Sequence, residues 1–269
     1  MTAVIPATTA TSGTKRSRDW YWTVGGIVTI VVLWQLLAKP VLDDYSIPSP
    51  VEILRQLNRD RDVYPSAVWA TVKEGGRGWL IGNVLATSLA AVAVAVPRIE
   101  KLITRFGIAT YTVPVLAIGP ILKVTVGRST MIATLAALAV FFTTMVGAIL
   151  GLKSADHRAL DLIKALGGSS FTALTKVRLR SALPAYFAAL RISAPAALLG
   201  TMVAEWFAPD RGLGAYMINA MALSNSPRVW GVALMATLTA SIGYMLIALV
   251  GWWLTRWDTS VRMVARAAR

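Results

Sequence analysis

The stretch Thr130–Leu150, TMIATLAALAVFFTTMVGAIL, decides the fold, because its 21 residues carry no charged side chain. A helix rises about 1.5 Å per residue and the hydrocarbon core of a bilayer is roughly 30 Å thick, so about 20 apolar residues suffice to cross it. Working outward from this stretch, five more windows qualify: Trp20–Leu37, Gly78–Val96, Ile103–Val126, Ala182–Phe207 and Trp230–Leu254. Ile103–Val126 contains Pro114 and Pro120. Proline removes a backbone donor, which a membrane helix tolerates where neighbouring helices satisfy the freed carbonyls, so this span is expected inside a bundle. The expected fold is all-α, a polytopic membrane helix bundle with about six transmembrane helices.

Composition agrees. The 269 residues are 56% apolar and 15% charged, against about 25% charged in ordinary soluble domains. There is no cysteine and His157 is the single histidine, which excludes a disulfide framework, a thiolate zinc site, a cysteine nucleophile and a histidine metal cluster. No metal or cofactor is expected, and no nucleophile elbow, P-loop or dinucleotide fingerprint is present in the sequence. Catalysis by this chain is not expected.

The formal net charge is +14, and its placement identifies its meaning. Lys and Arg accumulate on the cytoplasmic side of membrane proteins. Placing both termini inside puts 16 of the 27 basic residues in the cytoplasm. They are Lys15, Arg16 and Arg18; Arg98, Lys101 and Arg105; Lys153, Arg158, Lys164, Lys176, Arg178 and Arg180; and Arg256, Arg262, Arg266 and Arg269. This topology accounts for the basic charge without nucleic acid, for which the chain shows no basic stripe interleaved with stacking aromatics. Residues 1–19 are expected as a disordered cytoplasmic N-terminus, 20–257 as the membrane domain and 258–269 as a basic cytoplasmic tail. The first span follows KRSR and reads as a signal anchor. In the outer segment, Ser49, Pro50 and Glu52 mark a helix start, with Val51, Ile53, Leu54 and Leu57 as one apolar face.

The connection between the fourth and fifth spans, residues 151–181, is too long for a simple return, which typically takes 2 to 8 residues. Asp156 can cap a helix with Leu160, Ile163 and Leu166 on an apolar edge, and Gly167 and Gly168 can end it. Ser169 or Ser170 can cap a second short helix carrying Phe171, Leu174 and Val177. Such a projection suits a groove on a cytoplasmic partner.

Asp161-Leu-Ile-Lys-Ala-Leu-Gly167, followed by Val177, Leu179 and Leu183-Pro184, resembles the Glu-Ala-Ala loop of permease subunits of binding-protein-dependent ABC importers. From about Tyr45 to Leu254 the chain resembles the branch importing nitrate, sulfonates, taurine, bicarbonate and related small anions or pyrimidine precursors. YSIPSP, PVLAIGPILK, GLKSAD, ALRISAPAALLGTMVAEW and APDRGLGAYM occur in the expected order. Departures are Asp161-Leu162-Ile163 in place of Glu-Ala-Ala, Arg180 where a proline is common, and Lys123–Gly127 in place of a tryptophan, phenylalanine and glycine run.

The resemblance implies a type I ABC importer permease fold in the cell inner (plasma) membrane. It also implies a second copy of the chain, two cytoplasmic ATPase subunits and an extracytoplasmic solute-binding protein as partners. Coupling to the ATPases would fall to Asp161, Ala165, Gly167, Gly168, Phe171, Leu183 and Pro184.

For the translocation path the candidates are Asn83, Thr112, Thr143, Thr144, Arg191 and Glu205, with Thr110 and Thr201 as further polar groups in the spans. Each hydroxyl or amide either meets a solute or bonds a neighbouring helix. Arg191 and Glu205 are about 21 Å apart along one helix, so they cannot pair there. Arg191 either lines an anion path or pairs with another element. Lys123 either draws anions to the outer mouth or snorkels to the interface. An ion-coupled secondary transporter or channel is the alternative function, since prolines that break a span suit a carrier.

Overall fold

The computed structural model describes residues 19–38 and 47–256; the expectations for the N-terminal segment 1–18, for Tyr45 and Ser46 of YSIPSP, and for the basic tail 258–269 lie outside the described residues. The described chain forms eleven α-helices: α1 Asp19–Ala38, α2 Pro50–Arg59, α3 Tyr64–Ala95, α4 Pro97–Thr112, α5 Val115–Val126, α6 Arg128–Lys153, α7 His157–Ala165, α8 Ser170–Ala173, α9 Leu179–Phe207, α10 Leu213–Ala222 and α11 Ser226–Leu254. Five stretches are long and apolar enough to cross a membrane, or six if α4 and α5 together make one span.

The core is a three-helix seam in which α6, the stretch that opened the reading, packs against both α3 and α9. Met131, Ile132, Leu135, Val140 and Met145 of α6 are fully buried. Small residues let the backbones approach this closely. A Cβ added at Gly75 would lie 2.8 Å from Thr201 Oγ1, and one at Gly82 would lie 2.5 Å from Val140 Cγ2 and 2.7 Å from the Ala137 carbonyl. Close van der Waals contact through small residues is the usual basis of helix association in lipid, where apolar side chains gain little by leaving the equally apolar lipid tails.

Three expectations change. The second span begins at Tyr64, well before Gly78, because Tyr64, Ala67, Thr71 and Gly75 keep an inward-facing stripe going through a segment whose charges lower its hydropathy. The third span is two helices, α4 and α5, meeting at 89° across the break before Pro114. Neither lies inside the bundle of this chain: Leu102, Phe106, Tyr111, Leu116, Ile121 and Val124 are all exposed. The fifth span is entered from Ser170 through α8 and a π turn at Leu174–Arg178, so the second short helix runs directly into α9.

The short helix α2 starts as expected. Ser49 Oγ accepts from the Glu52 amide and Glu52 Oε2 accepts from the Ser49 amide, closing a capping box. Its buried side is Ile53 and Gln56, while Val51 and Leu54 are exposed. A clamp sets this rotation: Arg228 of α11 donates to both Asp60 oxygens at 2.8 and 2.9 Å, and Gln56 Nε2 donates to the same carboxylate at 2.8 Å. Burial by itself would raise the Asp60 carboxyl, but the hydrogen bonds from Arg228, Gln56 and Tyr216, with the guanidinium charge, outweigh it and hold the group below its ordinary value.

Candidate translocation and coupling sites

The elbow between α6 and α9 is built by its caps. Asp156 accepts from the Arg158 amide at 3.0 Å and starts α7. At the other end Gly167 adopts φ +73, a conformation that side chains rarely take, and the Gly168 amide donates back to the Ile163 carbonyl at 2.8 Å. Gly168 also has no room for a side chain, since an added Cβ would meet Ile163 Cγ2 at 2.5 Å. Ser169 then caps α8 by accepting from the Thr172 amide.

The apolar edge differs from the expected one. Leu160 is buried and Ile163 half-buried against the bundle, so the outward face consists of Leu162, Leu166 and Phe171, the last two 75% and 73% exposed. Asp161 and Ala165 are exposed beside them, with Asp161 3.4 Å from Lys164. Leu183 and Pro184 stand apart from this set, half-buried within α9. His157 is the first residue of α7 and lines a cavity of about 360 Å³ behind it. Three large exposed apolar groups on two short capped helices, α7 and α8, form a surface that water covers poorly and a protein groove covers well.

The polar candidates inside the spans divide sharply. Thr144 Oγ1 donates to Asn83 Oδ1 at 2.6 Å, and Asn83 Nδ2 donates to the Trp79 carbonyl at 2.6 Å. Trp79 Nε1 donates to Ser193 Oγ at 2.8 Å. Asn83, Thr144 and Ser193 are buried, so this network joins α3, α6 and α9 away from solvent. Thr201 is also buried and donates to the Ala197 carbonyl of its own helix. Thr110 and Thr112 bond the Gly107 and Ala109 carbonyls within α4, and Thr143 is half-buried on α6.

Glu205 is fully buried. It accepts from Thr71 Oγ1 at 2.8 Å and from the Gly214 amide at 2.6 Å, while Thr71 accepts from the Leu213 amide. The carboxyl group therefore ties the start of α10 to α3 and α9 through these hydrogen bonds. Gly212, at φ +108, leaves the space the carboxylate occupies.

Arg191 is the exception. It is exposed on α9, and among the described residues it has no hydrogen-bond or ion-pair partner. It lies 12 residues after Leu179 and 16 before Phe207, about 18 and 24 Å along the axis, hence near mid-depth. An arginine facing hydrocarbon there costs at least about 2.5 kcal/mol, so its face is suited to water or to another protein surface. Lys123 is already occupied, donating to the Phe207 carbonyl at 2.6 Å.

Sequence reading missed Trp79, Ser193 and Thr71. Each looks ordinary within its own helix, and only the crossing of helices brings Trp79 to Ser193 and Thr71 to Glu205.

Residues 82–258 match a family described as the binding-protein-dependent transport system inner membrane component. The formylaminopyrimidine transport permease protein ThiX of Halalkalibacterium halodurans is 26% identical over 220 residues, covering 81% of this chain and 88% of its own. A probable ABC transporter permease protein of Haemophilus influenzae is 28% identical over 234 residues, 86% of this chain and 94% of its own. The putative aliphatic sulfonates transport permease protein SsuC of Bacillus subtilis is 23% identical over 265 residues, 95% and 96% of the two chains.

Proposed function

This chain belongs to the family of inner membrane components of binding-protein-dependent transport systems, and from that premise we propose how a multi-pass permease of this build divides the work of import. The chain forms the path for a small polar or anionic solute. ATP is hydrolysed by two cytoplasmic subunits, and a second copy of this chain completes the path. An extracytoplasmic binding protein delivers the solute. Both termini lie in the cytoplasm, in accord with the basic residues flanking the spans.

The exposed elbow carries this reading. Leu162 and Leu166 stand out from the α7 turn, whose ends are fixed by Asp156 and Gly167, Phe171 stands out from α8, and α8 runs without a loop into α9. A groove that grips the elbow therefore moves α9, the helix that bears Arg191. Rigid-body motion of this kind converts a distant event into alternate access.

The test is purification of the tagged chain from cells expressing the neighbouring genes. An ATPase is expected to copurify with the parent chain and to be lost from an L166E/F171E variant that still inserts in the membrane. Retention of the ATPase by that variant contradicts the reading. The break between α4 and α5 favours the second reading, an ion-coupled carrier; solute movement in vesicles driven by an ion gradient without ATP would establish it.

A further inference from the structure

A cavity of about 820 Å³ opens at the outer end of α3, between that helix, the start of α6 and the Asp210–Asn219 segment. Ionised side chains line it, and most of them are engaged. Arg128 donates to Glu74 at 2.7 Å and to the Arg211 carbonyl, and Arg211 lies 3.2 Å from Asp210. Two are not: Lys73 and Arg77 are exposed in the cavity wall and have no hydrogen-bond or ion-pair partner among the described residues. They stand four residues apart on one face of α3, where like charges weaken a helix. The paired wall is itself incomplete, since Arg128 Nε and Glu74 Oε2 are buried with no hydrogen-bond partner among the described residues. Trp69, 67% exposed, adds a flat apolar surface one turn above Lys73.

We propose that this cavity is an anion-capture site, in which Lys73 and Arg77 hold the sulfonate or carboxylate of a small organic solute whose apolar body rests on Trp69. The inference rests on the permease reading for the direction of traffic and deepens it by naming the charge of the cargo. The guanidinium of Arg77 matches a planar or tetrahedral oxyanion with paired N–H donors, and Lys73 adds a mobile point charge. The volume falls within the usual range of small-molecule pockets. Lys123, the cation that sequence reading placed at the outer mouth, has its ammonium on a backbone carbonyl and leaves this role to α3.

The absence of cysteine supplies the test. A thiol introduced in the cavity by Ser66→Cys, or outside it by Leu223→Cys, is the only one in the chain. Each variant, purified in phosphatidylcholine nanodiscs, is labelled with a sulfonate-bearing and a trimethylammonium-bearing methanethiosulfonate. The sulfonate-to-ammonium rate ratio is expected to be higher at Ser66→Cys than at Leu223→Cys. In a K73Q/R77Q background the cavity ratio is expected to fall roughly three- to tenfold, and to fall likewise in 1 M salt, where screening is nearly complete. Benzenesulfonate is expected to protect the cavity thiol, and to lose that effect in K73Q/R77Q.

Equal ratios at the two positions, or a cavity ratio unchanged by K73Q/R77Q, overturn the proposal. Protection seen only when phosphatidylglycerol is added, and not with benzenesulfonate, assigns the site to a lipid headgroup and also overturns it. The labelling needs neither ATP nor a partner protein, so its failure leaves the permease reading untouched, and loss of the ATPase complex leaves the labelling result untouched.

Discussion

The seam between the long helices α3, α6 and α9 and the short elbow at α7–α8 are both punctuated by glycine, yet glycine serves opposite ends in them. In the seam, Gly75 and Gly82 remove side chains so that helices touch. At the elbow, Gly167 has open space around it and is needed for its backbone angle alone, which turns Leu166 and Phe171 outward. Interior glycine is a packing residue, whereas elbow glycine is a steering residue. The same division separates Asn83 and Thr144, bonded to each other in the interior, from Arg191, exposed on α9 and unpaired among the described residues.

The strongest way to break the comparison is Gly82→Leu. Its Cβ would strike the Ala137 carbonyl at 2.7 Å, a backbone atom that cannot step aside without separating α3 from α6. The expected cost is about 3 kcal/mol or more, read as loss of folded protein in detergent melting curves. Gly167→Val is the matching change at the elbow. A β-branched residue at φ +73 costs roughly 1–2 kcal/mol locally, so insertion and melting are expected to survive while ATP hydrolysis continues without uptake. Normal uptake by this variant would remove the glycine turn from the mechanism.

Arg191→Gln sharpens the second half of the contrast. Removing an exposed, unpaired charge leaves no buried partner behind, so melting is expected to hold or improve while uptake falls about tenfold, the equivalent of about 1.4 kcal/mol in transport. Thr144→Val inverts that pattern, losing about 1 kcal/mol of stability through the Asn83 bond with uptake retained. The smallest effect concerns pH. Asp60 is held below its ordinary value in the folded chain, so the stability it contributes is complete above the unfolded carboxyl value near 4 and is lost as pH falls through the folded one. Asp60→Asn is expected to lower the melting temperature at neutral pH, with the gap to the parent closing below about pH 4.

Much of the fold was legible because bilayer thickness converts directly into apolar length, as the uncharged run Thr130–Leu150 shows. Less legible were boundaries where charge and helix coexist. Lys73, Glu74 and Arg77 read as an outer loop, yet they lie on a continuous helix, where a cavity leaves Lys73 and Arg77 exposed and Glu74 pairs with Arg128. The elbow's caps were readable at Asp156 and Gly167 because capping is local chemistry. Its exposed edge was not, since the choice between Leu160 and Leu162 is made by contact with the bundle. Asn83 and Thr144 were readable as polar groups in apolar spans, but their pairing depends on which helices cross. Pro114 signalled an interruption, while the 89° turn it permits is a property of the packed chain.

One measurement bears most directly on the elbow as the seat of a motor. A single cysteine placed by Leu166→Cys, in the complex formed with the copurifying ATPase, is exposed to a soluble maleimide and to a bifunctional cross-linker. Slow maleimide labelling in the complex, rapid labelling in the chain alone, and a cross-linked band containing the ATPase are the predicted result. An intact complex in which Leu166→Cys labels as fast as in the isolated chain, with no cross-link to the ATPase, would contradict it.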